Sequence, residues 1–254
     1  QKGFFMINSN TFSNFNSKYP IYADLHTHSI SSGHGSEDTI TDMIRCASES
    51  GLSLFGISDH GPATSSSAKP SYFQSLKLAD RDRFGIRVLY GAELNIINTA
   101  GDVDLDDDTL STLDYAIISI HPPIFKPYHD KDLSSAYIRA MDHPKVRFLG
   151  HIDDARFPVD FEYLLEIAKE KHVYPEINNG SLMPDAYRIN GQENCRRILS
   201  ICKKLDLPVL LSSDSHGKKN IGNMQYIFPL LEELDFPAHL VLNSDLSVLS
   251  EIIQ

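Results

Sequence analysis

Short runs of β-favouring residues alternate with segments of helical periodicity from residue 21 onward. This alternation is typical of parallel strands joined by crossover helices, which is the pattern of an α/β fold. The predicted strands, seven in number, cover residues 21–25, 54–58, 87–94, 115–120, 146–149, 173–178 and 208–213. Most of them consist of Val, Ile, Leu and Tyr without polar alternation, so we expect a sheet that is covered on both faces.

The segment after the first predicted strand has the spacing of an amphipathic helix. Its apolar residues recur at intervals of three and four positions, at Ile40, Met43, Ile44 and Ala47. Ser36 is the predicted N-cap of this helix, and Gly51 is its predicted stop. A later segment has the same spacing through Cys195 and Cys202, and neither cysteine has a neighbouring base or cysteine partner. We therefore interpret both thiols as core packing residues.

The length of 254 residues is compatible with one large domain or two small ones. No repeat, linker or shift in composition marks a boundary, so we expect an N-terminal extension over residues 1–20 and one domain over residues 21–254. The 34 acidic and 23 basic residues give a formal charge of -11, which disfavours nucleic acid as a partner. No apolar stretch approaches the roughly 18 residues that span a bilayer. With three cysteines in a large chain, we expect a cytoplasmic protein without a membrane segment.

Residue types that bind metals follow six of the seven predicted strands. In a closed parallel barrel the carboxyl ends of all strands meet at one face, so these residues are expected to be neighbours. Composition alone predicts about one histidine in the three-residue windows at the strand ends, and these windows hold six. One further histidine, His34, lies in the loop after the first strand. The candidate ligands, nine in number, are His26, His28, His34, His60, Glu93, His121, His151, Asp214 and His216.

Imidazoles with a few carboxylates and no thiolate favour Zn, Mn or Fe over Mg or Ca. At three or four protein ligands for each ion, the set predicts about two or three divalent transition metal ions. Because Glu93 stands alone at its strand end, we expect it to bridge ions. Such ions lower the pKa of a shared water, and a hydroxide that bridges them is suited to in-line attack on a phosphate monoester.

Several other polar residues near the strand ends are candidates for supporting roles. Residues two apart in an extended chain share a face, so Asp24 is expected to accept the imidazole N–H of His26. Asp59 is expected to orient a ligand or to protonate the leaving group. The acidic run over residues 104–108 lacks the spacing of a calcium loop and is interpreted as a solvated helix start. The candidate phosphate-binding residues, each individually a common surface base, are Lys126, Arg156, Arg188 and Lys218.

Four short motifs occur in order along the chain. They are Asp24-Leu25-His26-Thr27-His28, Ser58-Asp59-His60-Gly61, Glu93 with His121, and Ser213-Asp214-Ser215-His216. Together they resemble the PHP family, which is named for polymerase-associated and histidinol-phosphatase domains. The resemblance runs over residues 21–253, and residues 176–179 and 193–196 are similar to the small stand-alone bacterial phosphatase branch.

The resemblance implies a distorted (β/α)7 TIM-like barrel with a trinuclear metal site in its mouth. It assigns the ligands to three ions in the sets His26, His28, Glu93 and Asp214; Glu93, His121 and His151; and His34, His60 and His216. It is also compatible with a homo-oligomer. No ligand position of the family is missing from this chain.

Three functions remain open at this point. A metal-dependent phosphoric monoester hydrolase acting on a small phosphorylated substrate fits the ligands and the acidic composition. A phosphodiesterase or exonuclease acting on nucleotides requires a basic channel, which a net charge of -11 does not favour. The third alternative is a non-catalytic metal-binding regulatory module. The pattern does not identify the substrate, the metal or the oligomeric state.

Overall fold

The computed structural model describes residues 18–122, 124–125 and 131–253. Within these residues the strands are β1 (Ala23–Asp24), β2 (Thr27–His28), β3 (Leu54–Ile57), β4 (Asp82–Arg83), β5 (Ile86–Tyr90), β6 (Ala92–Asn95), β7 (Ala116–Ser119), β8 (Val146–Leu149), β9 (Tyr174–Asn178), β10 (Leu210–Ser212) and β11 (Ser215–His216). The α-helices of the same residues are α1 (Ile40–Glu49), α2 (Pro70–Ser75), α3 (Asp107–Leu110), α4 (Ser134–Ala140), α5 (Phe161–Glu170), α6 (Gly191–Leu205), α7 (Phe228–Glu233) and α8 (Leu246–Ile253). None of these helices has the length and apolar character that crossing a membrane requires.

Parallel strands form almost the whole sheet, in two stretches that follow the order of the chain. Strands β1, β3 and β5 lie side by side, and β6 to β10 lie side by side in sequence order, with every neighbouring pair parallel. Strand β4 adds an antiparallel edge beside β5, and β2 pairs with β11. The predicted α/β architecture with parallel strands and crossover helices is confirmed.

The predicted strand over residues 87–94 is two strands in the structure, because the strand is interrupted at Gly91. A Cβ at Gly91 would lie 2.7 Å from the carbonyl oxygen of Tyr115 and 2.8 Å from its ring, so only glycine permits this approach. Beyond the break, Glu93 pairs with His60 in an isolated parallel bridge. The two stretches of sheet therefore continue into each other at the point where Glu93 and His60 meet.

Among the described strands, β1 and β10 are joined by the side chain of Asn243 and not by backbone hydrogen bonds to each other. Asn243 Oδ1 accepts a hydrogen bond from the backbone N–H of Leu211 at 2.8 Å. Its Nδ2 donates to the carbonyl oxygens of Leu211 and Ala23, each at 2.8 Å. Farther along this seam, β2 and β11 pair directly, with His28 opposite His216. The closure of the barrel thus places two candidate ligands side by side.

The interior of the barrel and the layer between sheet and helices form two apolar clusters. Tyr115 and Phe148 pack edge to face in the interior, with ring centroids 6.0 Å apart. Leu249 and Ile253 of α8 belong to the same interior cluster, and Arg147 near the start of β8 donates to a carbonyl of α8 at 2.7 Å. Helix α8 therefore covers the amino-terminal end of the barrel and leaves the carboxyl end open.

The first helix begins later than the sequence predicts. Thr39 Oγ1 accepts from the backbone N–H of Asp42 at 3.2 Å, and the Asp42 carboxylate accepts from the backbone N–H of Thr39 at 3.1 Å. This reciprocal capping box makes Thr39 the N-cap, so the prediction of Ser36 is wrong. Ser36 Oγ instead accepts from the backbone N–H of Asp38 at 3.1 Å, in the turn before the helix.

The packing role of the two cysteines is confirmed. Cys195 and Cys202 are fully buried on the core face of α6. Burial raises the pKa of both thiols, that of Cys202 to about 12, so both stay protonated at neutral pH. The acidic run lies at the start of α3, as predicted, and Asp106 is the N-cap of this helix. Asp104, in contrast, is turned inward.

Candidate metal centre

The candidate ligands converge at the carboxyl ends of the strands. His28 and His216 are in register on β2 and β11, and their ring centroids are 4.3 Å apart. His60 stacks on His28 at 4.2 Å and on His34 at 4.9 Å. The structure brings together all nine predicted residues, namely His26, His28, His34, His60, Glu93, His121, His151, Asp214 and His216.

The Glu93 carboxylate lies at the centre of the cluster. Its two oxygens are 2.6–3.5 Å from five imidazole nitrogens, which are Nδ1 of His60 and Nε2 of His26, His28, His121 and His151. Burial raises the pKa of Glu93, but the imidazoles, with His121 and His26 foremost, outweigh burial and hold this pKa well below its usual range. An ionised carboxylate in this position has the geometry that a bridge between ions needs.

Several buried atoms of the cluster have no hydrogen-bond partner among the described residues. They are His26 Nε2, His28 Nε2, His60 Nδ1, Glu93 Oε2 and His216 Nε2. His60 Nδ1 and Glu93 Oε2 are 2.6 Å apart, yet their geometry is not that of a hydrogen bond. Because a buried polar atom without a partner is costly, these atoms fit the donor set of divalent transition metal ions.

Among the described residues, three groups have ligand atoms that all lie within 4.8 Å of one another: His26, His28 and Asp214; His28, His60 and His216; and His60, Glu93 and His121. The first group falls within one of the sets that the family resemblance implies. The other two combine residues from different implied sets. Because the groups share His28 and His60, the centre is one continuous cluster.

Burial and neighbouring charges set the protonation of the cluster. Burial lowers the pKa of His28 well below its usual range, and the imidazoles of His60 and His216 lower it further. Burial raises the pKa of Asp214, but the charge of His26 and the nearby imidazole of His28 outweigh burial and hold this pKa well below its usual range. A neutral imidazole beside ionised carboxylates is the state that metal binding requires.

Glu176 in β9 orients His26, and sequence reasoning did not include it among the site residues. His26 Nδ1 is 2.5 Å from Glu176 Oε1, and a carboxylate only accepts, so Nδ1 carries the proton. In the neutral form of His26 the lone pair is then on Nε2, which lies 3.4 Å from Glu93 Oε2. Glu176 also accepts from the hydroxyl of Ser212 and from the backbone N–H of His151. An acid inside the otherwise largely apolar run at residues 173–177 was the available signal.

A similar arrangement orients His121. The Asn95 amide nitrogen donates to Asp104 Oδ2 at 2.7 Å, and the backbone N–H of Asn95 donates to Asp104 Oδ1 at 2.9 Å. Asn95 Oδ1 is thus left as the acceptor for His121 Nδ1–H, at 2.7 Å. His121 Nε2 then faces Glu93 Oε1 at 3.3 Å. Asp104, which the sequence placed at a solvated helix start, helps to hold a candidate ligand.

Asp24 does not accept from His26, so this expectation is wrong. Its carboxylate accepts from the hydroxyl and backbone N–H of Ser213, at 2.5 and 3.3 Å, and from the backbone N–H of Gly222 at 2.8 Å. Despite these hydrogen bonds, burial raises the pKa of Asp24 to about 6. The rule of alternating faces fails because β1 pairs with β3 whereas β2 pairs with β11. Asp24 instead ties β1 to the loop that carries Asp214.

Asp59 is fully buried and accepts four hydrogen bonds, from the backbone N–H and hydroxyl of Ser29 and from the hydroxyls of Ser32 and Tyr72. It does not line the cavity into which the ligand cluster opens. With its oxygens occupied by donors, Asp59 has the geometry of an anchor, and nothing in this geometry favours the alternative role of an acid.

The four candidate phosphate-binding bases differ in their placement. Arg188 is buried, lines the cavity and donates to Asp214 Oδ2 at 2.8 Å. Arg156 also lines the cavity and is paired with Asp154. Lys218 does not line the cavity, because its side chain is 57% exposed and its ammonium group pairs with Asp38 at 3.0 Å. The fourth base, Lys126, lies outside the described residues.

The cluster opens into a cavity of about 890 Å³. The residues that line it include the hydroxyl residues Thr64, Ser65 and Ser66, and also Met183 and Tyr187. The guanidinium groups of Arg156 and Arg188 each lie 5.1 Å from the centre of the Tyr187 ring. The cavity therefore offers an aromatic and cationic wall beside the cluster, and sequence reasoning missed its aromatic part.

Two proteins that are named as probable phosphatases are similar to this chain in sequence. A protein named as a probable phosphatase from Clostridium acetobutylicum is 37% identical over 222 residues, which cover 87% of this chain and 90% of that protein. Another probable phosphatase, from Acetivibrio thermocellus, is 33% identical over 231 residues, which cover 91% of this chain and 94% of that protein.

The fold is similar to that of histidinol phosphate phosphatase from Lactococcus lactis, which was solved with zinc, L-histidinol and phosphate. The TM-score is 0.59 and the identity 19%, with 85% of this chain and 94% of that chain covered. Residues 24–180 match the PHP domain family. Since this match spans more than half of the sequence and the four motifs predicted it, the chain belongs to the PHP domain family.

Proposed function

We propose that this protein is a metal-dependent phosphatase that hydrolyses a small phosphate monoester. The observation that carries the proposal is the Glu93 carboxylate, which five imidazole nitrogens approach while several of the ligand atoms lack any hydrogen-bond partner among the described residues. The names of the relatives support phosphatase chemistry. The Lactococcus lactis enzyme with histidinol and phosphate supports a small phosphorylated alcohol as substrate class.

The cluster would hold two or three divalent ions, which we propose to be Zn, Mn or Fe. The proposed sets are His26, His28, Glu93 and Asp214; Glu93, His121 and His151; and His34, His60 and His216. When bound, such ions acidify water and neutralise charge on a phosphoryl group. Because all nine residues lie in residues 21–254, we propose that this segment forms one catalytic domain.

The residues of the chain itself would bind and orient the substrate. Arg188 holds Asp214 in place and faces the cavity, so its remaining N–H groups are placed to bind phosphate oxygens. Its burial favours this role, because a desolvated guanidinium interacts more strongly with an anion. The leaving group would extend along the wall that contains Met183 and Tyr187. Asp59 would act as an anchor of the ligand loop.

The experiment compares p-nitrophenyl phosphate with bis-p-nitrophenyl phosphate after removal of metal and re-addition of Mn²⁺ or Zn²⁺. We expect metal-dependent release of p-nitrophenol from the monoester. Glu93→Gln is expected to lower kcat/KM by at least about 100-fold, because it removes the charge at the centre of the cluster. Glu166→Gln, at an exposed position on α5, is the matched control and should leave the rate unchanged. Cleavage of the diester alone, or full activity with metal removed, would contradict the proposal.

A further inference from the structure

The hydroxyl of Ser32 makes three hydrogen bonds. The identity of the three partners determines which group is the donor in each bond. The hydroxyl lies 2.9 Å from His28 Nδ1, 3.1 Å from the backbone nitrogen of His60 and 2.7 Å from Asp59 Oδ1. A hydroxyl has one proton and two lone pairs. The backbone N–H of His60 can only donate to it, and the Asp59 carboxylate takes the hydroxyl proton. The remaining lone pair therefore accepts from His28, which places the proton of His28 on Nδ1.

This tautomer leaves the Nε2 lone pair of His28 facing the cluster. His28 Nε2 is 3.2 Å from Asp214 Oδ1 and 3.5 Å from Glu93 Oε2, and it has no hydrogen-bond partner among the described residues. The opposite tautomer would place a proton on Nε2 and leave Nδ1 and Ser32 with two lone pairs facing each other. The single hydroxyl of Ser32 thus decides which nitrogen of His28 is available to an ion.

Asp59 and Tyr72 hold Ser32 in this arrangement. Asp59 also accepts from the backbone N–H and hydroxyl of Ser29, at 2.7 and 2.8 Å, and from the hydroxyl of Tyr72 at 2.5 Å. Burial raises the pKa of Tyr72 above its ordinary value, and the Asp59 carboxylate raises it further, so this hydroxyl remains a donor. Tyr72 comes from α2 and does not line the cavity.

The same carboxylate anchors the loop that carries His34. Ser29 caps a short turn of helix over Ile30–Ser32, which is followed directly by Gly33 and His34. Gly33 has a φ of +81°, and a Cβ there would lie 2.3 Å from the backbone of Ser66. The loop is therefore held on one side by Asp59 and on the other by this close contact.

We infer that Tyr72, Asp59 and Ser32 form a hydrogen-bonded relay that fixes the tautomer of His28 and so sets the affinity of the cluster for divalent cations. Tyr72 is a positioning residue in this relay, because it acts through Asp59 and Ser32. The inference rests on the proposed metal centre. Residues that do not themselves bind an ion thus control the cation affinity of the centre, because they position His28 and His34.

The test measures Zn²⁺ binding to the full chain after chelation, by competition with a chromophoric chelator. Ser32→Ala is expected to weaken binding about 10- to 100-fold, and Tyr72→Phe about tenfold, as for other partners of metal-binding histidines. Ser32→Thr keeps the hydroxyl and should restore most of the affinity. Tyr19→Phe is the matched control, because it removes a buried hydroxyl that donates to the backbone carbonyls of residues 231 and 236 and makes no hydrogen bond with Asp59 or Ser32 in the described part of the chain.

A second readout is the tautomer itself. In ¹H–¹⁵N spectra of the Zn²⁺-loaded protein, His28 is expected to carry its proton on Nδ1, and Ser32→Ala should abolish the slow exchange of that proton. An Nε2-protonated His28 in the unaltered protein overturns the inference, whether or not any variant folds. So does weakening in Tyr72→Phe no greater than in Tyr19→Phe. Failure of the unaltered protein to bind Zn²⁺ refutes the proposed metal centre as well, whereas tight binding by all variants refutes only the relay.

Discussion

Replacement of Asn243 by alanine tests whether the barrel is held closed by a side chain. Asn243→Ala removes hydrogen bonds to the backbone N–H and carbonyl of Leu211 and to the carbonyl of Ala23, each 2.8 Å long. All three residues are fully buried, so water does not readily replace the lost partner. A buried polar group that loses its partner costs about 1–3 kcal/mol. For three such groups, we expect a loss of at least about 3 kcal/mol in the free energy of unfolding.

For a protein of this size, each kcal/mol lowers Tm by about 2–4 °C, so Asn243→Ala should lower it by at least about 6 °C. The measurement is thermal and urea unfolding of the metal-free protein. Asn98→Ala is the matched control, because the Asn98 side chain also makes three hydrogen bonds, to the backbone N–H groups of Ala100 and Asp102 and to the Asp102 carboxylate, but in a solvent-exposed turn. We expect this control to cost less than about 1 kcal/mol. Equal losses in the two variants would refute the reasoning that the Asn243 side chain closes the barrel.

Two further predictions concern a buried carboxylate and the cavity wall. Burial raises the pKa of Asp153 to about 6, so the stability it contributes is present below pH 4 and is lost as the pH rises through 6. Asp153→Asn should therefore stabilise the metal-free protein relative to the unaltered chain at pH 8 but not at pH 4. The measurement is Tm across this pH range. The control variant Asp108→Asn, at an exposed position, should show no such difference. Tyr187→Ala should raise KM for p-nitrophenyl phosphate about three- to tenfold with little change in kcat, because the proposed function places the leaving group, and not the phosphate, against this ring. Steady-state kinetics beside Tyr163→Ala, at an exposed position on α5, check this, and an unchanged KM would contradict the placement of the leaving group.

The sequence predicts those helices and strands that the spacing of apolar residues along the chain determines. Helix α6 is recognisable because its buried residues recur at helical intervals, and the strands are recognisable as apolar runs bounded by turns. The break at Gly91 was missed because its cause, the close approach of Tyr115, joins residues that are separate in the sequence. The N-cap was misplaced because Ser36 and Thr39 are equally good caps by composition, and only the reciprocal bond with Asp42 distinguishes them.

The same distinction applies to the site. Strand ends predict which residues reach the mouth of the barrel, and all nine candidate ligands are there. Their partners could not be predicted, because a hydrogen bond such as that from His26 to Glu176 joins residues 150 positions apart. Periodicity gives the face of a strand but not the neighbour it faces. Asp24 illustrates this limit, since its carboxylate accepts a hydrogen bond from Ser213, in the loop after β10, instead of from His26.

The pairing of His28 with His216 determines when the metal centre can form during synthesis of the chain. These residues are neighbours in space, yet they lie 188 positions apart in the sequence. During synthesis on the ribosome, the histidines from the first half emerge long before Asp214 and His216 do. The full set of ion-binding groups is therefore assembled only once residue 216 has been translated, so a product that terminates before this residue lacks the complete centre.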